Sequence, residues 1–285
     1  MRQKGESASR WNNGTSGQSR GIRFFDRERE AHRIEEAFRK KESMMISGPA
    51  DIGKTALMRN VVRNLPGDLA GKCLYLAGFK DLQNLLRNLI LVLRGARCPG
   101  LRQQLKTEGV SSVNFEGWLK TLPSARLKGI VYRAAQSGDY RVILDHVPLL
   151  THARAKIIKE LFWMRNTPVY LMMRDDQELR IAQFARFFYW SDRQCLTLRP
   201  LPETSACELL EGCIERFGLS TFDLEGFREE VLDLSGCVPG AIVKMCALAA
   251  DERYQYGRRI KTKLVHIDYL MIGSNLVPPR SRRGH

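Results

Sequence analysis

No run in this sequence approaches the roughly 18 consecutive apolar residues that a membrane span requires. The apolar stretch Leu89 to Leu93 is short and lies between Arg87 and Arg94. The polar start, Met1 to Arg20, lacks the apolar stretch of a secretory signal, so neither a membrane partner nor export is expected. The cysteines, at 73, 98, 195, 207, 213, 237 and 246, offer no Cys-x-x-Cys spacing. A zinc site is therefore not expected, and an odd set of scattered thiols points to reduced, mostly buried cysteines in the cytoplasm. Internal repeats are absent. Acidic residues are scarce: 31 Asp and Glu stand against 46 Lys and Arg, a net charge of +15. That balance favours anionic partners, whether nucleotide, nucleic acid or acidic protein. Part of the excess lies near the C-terminal end, where Arg258, Arg259, Lys261, Lys263, Arg280, Arg282 and Arg283 face Asp268 alone. Two readings of that cluster stand, a solubilising surface and a nucleic-acid footprint.

What is present suffices for a packed core, since 44% of the 285 residues are hydrophobic. Residues 1–20 are rich in Gly, Ser, Asn and Arg and are expected to be disordered. Asp26 to Lys40 reads as a helix with Ala31, Ile34, Ala37 and Phe38 on one face. Strands follow at Ser43 to Ser47, Lys72 to Ala77, Tyr140 to Leu144, Pro168 to Met173 and Cys195 to Leu198. Helices are expected over Lys54 to Asn64, Asp81 to Arg94, Ser124 to Gln136, Thr151 to Arg165 and Asp176 to Phe188, with 95–123 irregular or in short helices. Strands alternating with helices imply a parallel sheet. After Pro202 the alternation stops, and Thr204 to Phe217, Asp223 to Ser235 and Pro239 to Ala250 all read as helical. The expectation is an α/β fold, a core over 21–202 with five parallel strands between helices. A helical lid over 203–274 and a basic tail over 275–285, containing Pro278 and Pro279, follow it.

Between the first strand and its helix lies Gly48-Pro49-Ala50-Asp51-Ile52-Gly53-Lys54-Thr55. Gly-x-x-x-x-Gly-Lys-Thr in a strand-to-helix turn is a phosphate loop, so the 21–202 core is expected to be a P-loop NTPase. Gly48 and Gly53 let backbone N–H groups wrap the phosphates, and the helix start adds its positive dipole end. Lys54 can reach the β- and γ-phosphates, the Thr55 hydroxyl can ligate Mg²⁺, and Ala56 completes the nucleotide-binding stretch. The third strand ends Arg141-Val142-Ile143-Leu144-Asp145, so Asp145 is the second Mg²⁺ candidate. ATP with Mg²⁺ is the expected ligand. A second acid usually follows the first in ATPases that hydrolyse well; here His146 follows, either a catalytic group or an ordinary strand-end histidine. Arg174 closes the fourth strand and can sense the γ-phosphate from the shared carboxyl edge, or simply pair with Asp175 and Asp176.

Several segments then align in order with one family. Phe24-Phe25-Asp26-Arg27-Glu28-Arg29-Glu30 resembles the Gly-Arg-x-x-Glu box that precedes the phosphate loop in STAND and origin-recognition-type AAA+ ATPases, with Asp26 at the usual Gly. Arg174 matches the Arg that ends the fourth strand in many STAND proteins. Ser235-Gly236-Cys237-Val238-Pro239-Gly240-Ala241-Ile242 resembles their Gly-Gly-Asn-Pro-Leu-Ala helix start, with Cys237 at the second Gly. The resemblance, covering Ile22 to Ala250, implies a nucleotide role for Arg27 and places Pro239 near the adenine. Many AAA+ proteins carry a sensor Arg near the start of this helix; only Lys244 is nearby, which favours the STAND side. An arginine finger would precede the fifth strand, where Arg186 and Arg193 both stand.

Taken together, these residues predict an ATP-dependent switch of low intrinsic turnover, with ATP or ADP bridging core and lid. The chain shows no effector or repeat domain, so output is expected through a protein partner, and an ATP-dependent homo-oligomer stays open. The alternative is a nucleic-acid-associated AAA+ ATPase, a transposition or replication helper, with sequence-tolerant contact through the basic tail. The region after 250 is short for a complete winged-helix module. A metabolic kinase would need an acceptor site, and none is recognisable.

Overall fold

The computed structural model of the chain describes residues 26–147, 156, 158–160, 167–174 and 191–273. Phe24, Phe25, Arg186, the helix expected over 176–188 and both expected tails lie outside them. So does most of the helix expected over 151–165, of which residues 156 and 158–160 are helical. The chain divides into two compact units. The first holds Glu28–Pro49 and Lys54–Leu198; the second holds residues 26–27, Ala50–Gly53 and 199–273.

The first unit is built on five strands: β1 (Met44–Ser47), β2 (Cys73–Leu76), β3 (Arg141–Leu144), β4 (Val169–Met172) and β5 (Cys195–Thr197). They form one sheet in the order β2-β3-β4-β1-β5, and every pairing is parallel. β1, β3 and β4 are buried at every position, which explains their continuous apolar runs: a parallel sheet covered on both faces has no polar side to alternate with. Because β4 lies between β1 and β3, the loops leaving these three strands share one carboxyl edge.

Seven described helices accompany the sheet: α1 (Glu28–Lys40), α2 (Lys54–Asn64), α3 (Gly67–Ala70), α4 (Leu82–Gly95), α5 (Pro99–Thr107), α6 (Phe115–Thr121) and α7 (Ser124–Gln136). The Asp81 side chain caps α4 by accepting from the Asn84 N–H at 2.8 Å. Leu85, Leu86, Leu89, Ile90 and Leu93 recur at three- and four-residue spacing along α4. They join Leu127, Ile130 and Val131 of α7 in one core with Leu74, Val142, Leu144 and Leu171 of the sheet. α1 is fastened by its C-terminal end: the Phe38 ring stacks on Tyr170 with centroids 4.1 Å apart, and buried Arg141 donates from Nε to the Phe38 carbonyl at 3.0 Å. That bond fills one of the carbonyls a helix end leaves unpaired.

The second unit is helical. It contains α8 (Glu203–Arg216), α9 (Glu225–Ser235), α10 (Pro239–Ala249) and α11 (Thr262–Gly273), with a short antiparallel hairpin of β6 (Gln255–Tyr256) and β7 (Arg259–Ile260) before the last helix. Leu209, Leu210, Phe227, Val231, Ile242, Met245, Tyr254 and Val265 form its core. Gly236 and Cys237 end α9 with φ of 55° and 56°, and Pro239 opens α10 at the first helical position, where its missing N–H costs nothing. Among the described residues no helix is long and apolar enough to cross a membrane.

Candidate nucleotide site

β1 ends at Ser47 and α2 begins at Lys54, so Gly48 to Gly53 form the turn between them. Gly48 and Gly53 take φ of 152° and 96°, backbone that L side chains rarely adopt. The Lys54 ammonium donates to the Gly48 and Pro49 carbonyls, each at 2.7 Å, which curls the side chain along its own loop. Ala56 is exposed on the first turn of α2. Lys54 and Thr55 therefore stand where a helix N-terminus offers its unpaired N–H groups.

Thr55 and Asp145 meet. The Thr55 hydroxyl donates to Asp145 Oδ2 at 2.7 Å, across 90 residues of sequence. Asp145 is 1% exposed. Its Oδ2 also accepts from the Tyr75 hydroxyl at 2.6 Å, and its Oδ1 from the His146 N–H at 2.8 Å. Burial, then the Asp145 carboxylate, push the Tyr75 phenol above the usual tyrosine range. A buried carboxylate with three donors is held in one orientation. The donor chemistry suits Mg²⁺: two hard oxygens stand 2.7 Å apart, close to the edge of about 2.9 Å that ligands at 2.0–2.1 Å make in an octahedron. Among the described residues no group of three His, Cys, Asp or Glu gathers to hold a metal.

His146 follows Asp145 with φ 49°, a left-handed backbone. Its side chain is 65% exposed, with Nε2 3.7 Å from Asp145 Oδ2. Arg174 is exposed just past β4, on the same carboxyl edge of the sheet. Arg193 lies in the short turn Asp192–Gln194 before β5 and is also exposed.

The tip of the loop, Ala50–Gly53, belongs to the second unit, and its contacts lie there. Asp51 takes φ 61°. Its carbonyl accepts from the Gly240 N–H at 2.8 Å. A Cβ on Gly240 would stand 2.6 Å from that carbonyl oxygen, so the approach requires glycine. The Asp51 carboxylate receives the Lys244 ammonium at 2.8 Å on both oxygens, and the Tyr269 hydroxyl at 3.2 Å on Oδ2. Pro239, immediately before Gly240, is half-buried. Arg27 is buried and donates to the Arg199 carbonyl, while Asp26 accepts from the Ser205 hydroxyl at 3.0 Å.

Tyr75, Gly240, Lys244 and Tyr269 were not assigned to the site from sequence. One signal was available: an acid inside an anion-binding loop needs a cation. Gly240 and Lys244 are one helical turn apart and therefore share a face of α10.

No protein-family model matches the sequence, and no curated protein matches it. Solved structures do. The chain is similar to a Walker-type ATPase of Pyrococcus abyssi, with TM-score 0.54 and 16% identity over 89% of this chain and 73% of that one. It is similar to a signal transduction ATPase with numerous domains (STAND) carrying a tetratricopeptide repeat sensor, from Pyrococcus horikoshii. There the TM-score is 0.50 and the identity 14%, over 87% of this chain but 32% of that one, so this chain spans about a third of that protein. It is also similar to the Orc1 protein of Aeropyrum pernix, solved in complex with DNA, with TM-score 0.60 and 12% identity over 90% of this chain and 70% of that one. The chain thus shares the fold of these solved structures, the α/β fold of a P-loop ATPase.

Proposed function

We propose that this protein is an ATP-binding, slowly hydrolysing switch of the STAND and AAA+ type that acts through a protein partner. The observation that carries the reading is the meeting of Thr55 and Asp145 beside Lys54 at the end of a complete phosphate loop. In this reading the loop N–H groups and the start of α2 bind the phosphates, and Lys54 exchanges its loop carbonyls for β- and γ-phosphate oxygens. Thr55 and Asp145 hold Mg²⁺, which supplies charge neutralisation on the phosphates. Arg174, at the edge of β4, reads the γ-phosphate, and Arg27 and Pro239 line the base and ribose end.

Slow turnover follows from what stands after Asp145. Attack on the γ-phosphate needs a group that orients and deprotonates water. His146 holds that position, with a shorter reach than glutamate. A monomer also lacks an arginine supplied by a neighbour. Turnover should fall well below about one per second, nearer to unassisted GTPases than to motors. Phosphate release from the purified chain tests this. Asp145→Ala should remove the residual activity, and His146→Glu should raise it. A fast parent enzyme insensitive to both changes would locate the base elsewhere and end this reading.

The net charge of +15 favours a second reading, a nucleic-acid-associated ATPase of the same fold. Contact of that kind would rest on counter-ion release and tolerate any sequence.

A further inference from the structure

Asp51 sits awkwardly for a residue of a phosphate loop. The loop's purpose in the reading above is to gather a polyanion, and a carboxylate within it repels one. Its neighbours in the second unit answer that charge. Lys244 Nζ reaches both carboxylate oxygens at 2.8 Å, and the Tyr269 hydroxyl donates to Oδ2 at 3.2 Å. The Gly240 N–H holds the Asp51 carbonyl at 2.8 Å. Three separate groups thus fasten one residue whose backbone is left-handed, with φ 61°.

We propose that Lys244 and Tyr269 are positioning residues for the phosphate loop: they cancel the charge of Asp51 and fix its backbone, so that the loop presents neutral, ordered N–H groups to nucleotide phosphates. The proposal rests on the ATP-binding reading. It assigns Lys244 a role through Asp51, not a contact with nucleotide. Two features support that assignment. Both Asp51 oxygens are engaged by the same ammonium, each at 2.8 Å. Lys244 also lies one turn beyond Gly240 on α10, so the close Gly240–Asp51 approach itself brings the cation to the carboxylate. Tyr269 adds a donor from α11, and burial followed by the Asp51 charge pushes its phenol up to about 12. It therefore donates at any physiological pH.

A double-mutant cycle on the full chain, read as the ATP·Mg²⁺ dissociation constant at low and high salt, tests this. Lys244→Met leaves Asp51 unpaired beside the phosphates and should weaken ATP binding by about tenfold at low salt, the scale of one partly exposed unit charge at contact range. High salt should shrink that loss. Lys244→Arg should keep affinity near the parent. In an Asp51→Asn background, Lys244→Met should cost less than about twofold, because no charge remains to cancel. Tyr269→Phe should show a smaller loss, likewise suppressed by Asp51→Asn. The same tenfold loss in both backgrounds would mean that Lys244 touches the nucleotide directly and would overturn the proposal; so would no loss in the parent background. Lys54→Ala separates the two layers. Full ATP affinity in Lys54→Ala would sink the ATP-binding reading itself, whereas a failed cycle with an inactive Lys54→Ala would sink only the role of Lys244. If Lys244→Met does not fold, Lys244→Gln and Tyr269→Phe carry the same cycle.

Discussion

At the scale of single residues, backbone conformation marks the site. Six described non-glycine residues have positive φ, and four of them, Asp26, Asp51, His146 and Cys237, lie in the phosphate loop, beside Asp145 or in the two boxes that resemble STAND proteins. Strain concentrated in this way is typical of sites that need a fixed geometry. Asp26 and Cys237 are the more telling pair. Each stands where the resembled box carries glycine, and each keeps the left-handed backbone that glycine would adopt freely, φ 45° and 56°. A left-handed residue with a Cβ costs about 1 kcal/mol relative to glycine. Cys237→Gly should therefore be more stable than Cys237→Ala by about 1 kcal/mol in urea unfolding. Equal stabilities would show that the turn after α9 does not hold position 237 left-handed.

At the scale of elements, the helical unit is pinned by a buried phenol. Tyr254 is 1% exposed and donates to Asp268 Oδ2 at 2.6 Å, joining the turn before the hairpin to α11. Burial, then the hydrogen bond to Asp268, push its phenol up to about 12. Its unfolded value is about 10. The folded state holds this proton more tightly, so the stabilisation is complete below about pH 10 and is lost as pH rises toward 12. Unfolding free energy measured across pH 10–12 should fall less steeply in Tyr254→Phe, by up to about 1.4 kcal/mol per pH unit. An unchanged slope would mean Tyr254 ionises as easily folded as unfolded.

Elements with length and period were legible in the sequence. Lys54–Asn64 and Ser124–Gln136 fall where the apolar spacing places them, and the five strands differ only by a residue or two at their ends. The rest was illegible for physical reasons. Strand order is set by packing between segments far apart in the chain, so nothing local in β4 says that it lies between β1 and β3. Two-residue strands such as Gln255–Tyr256 are too short to show alternation. Helix α11 is apolar on more than one face, with Leu264, Ile267 and Leu270 exposed while Val265 is buried, so its sequence selects no face. In the candidate site, Gly48, Gly53, Lys54, Thr55 and Asp145 could be proposed from sequence because phosphate chemistry restricts residue type and spacing, and the fold brings Thr55 and Asp145 together. Tyr75, Lys244 and Tyr269 were not, because each acts on another side chain across 70, 193 and 218 residues.

At the scale of the whole molecule, one claim organises the rest: the loop from Gly48 to Thr55 grips the phosphates of ATP. A ligand that binds only the folded chain stabilises it by RT ln(1 + [L]/Kd), about 2.7 kcal/mol at a hundredfold excess over Kd. For a chain of this size that corresponds to a rise in melting temperature of several degrees. Net charge does not substitute for the grip, since surface lysines and arginines bind any polyanion and lose it with salt. The direct measurement is the thermal shift on adding ATP·Mg²⁺ at 0.15 M salt, for the parent chain and Lys54→Ala. The parent should rise by several degrees and Lys54→Ala should not move. An equal rise in both would place the nucleotide elsewhere and contradict the account.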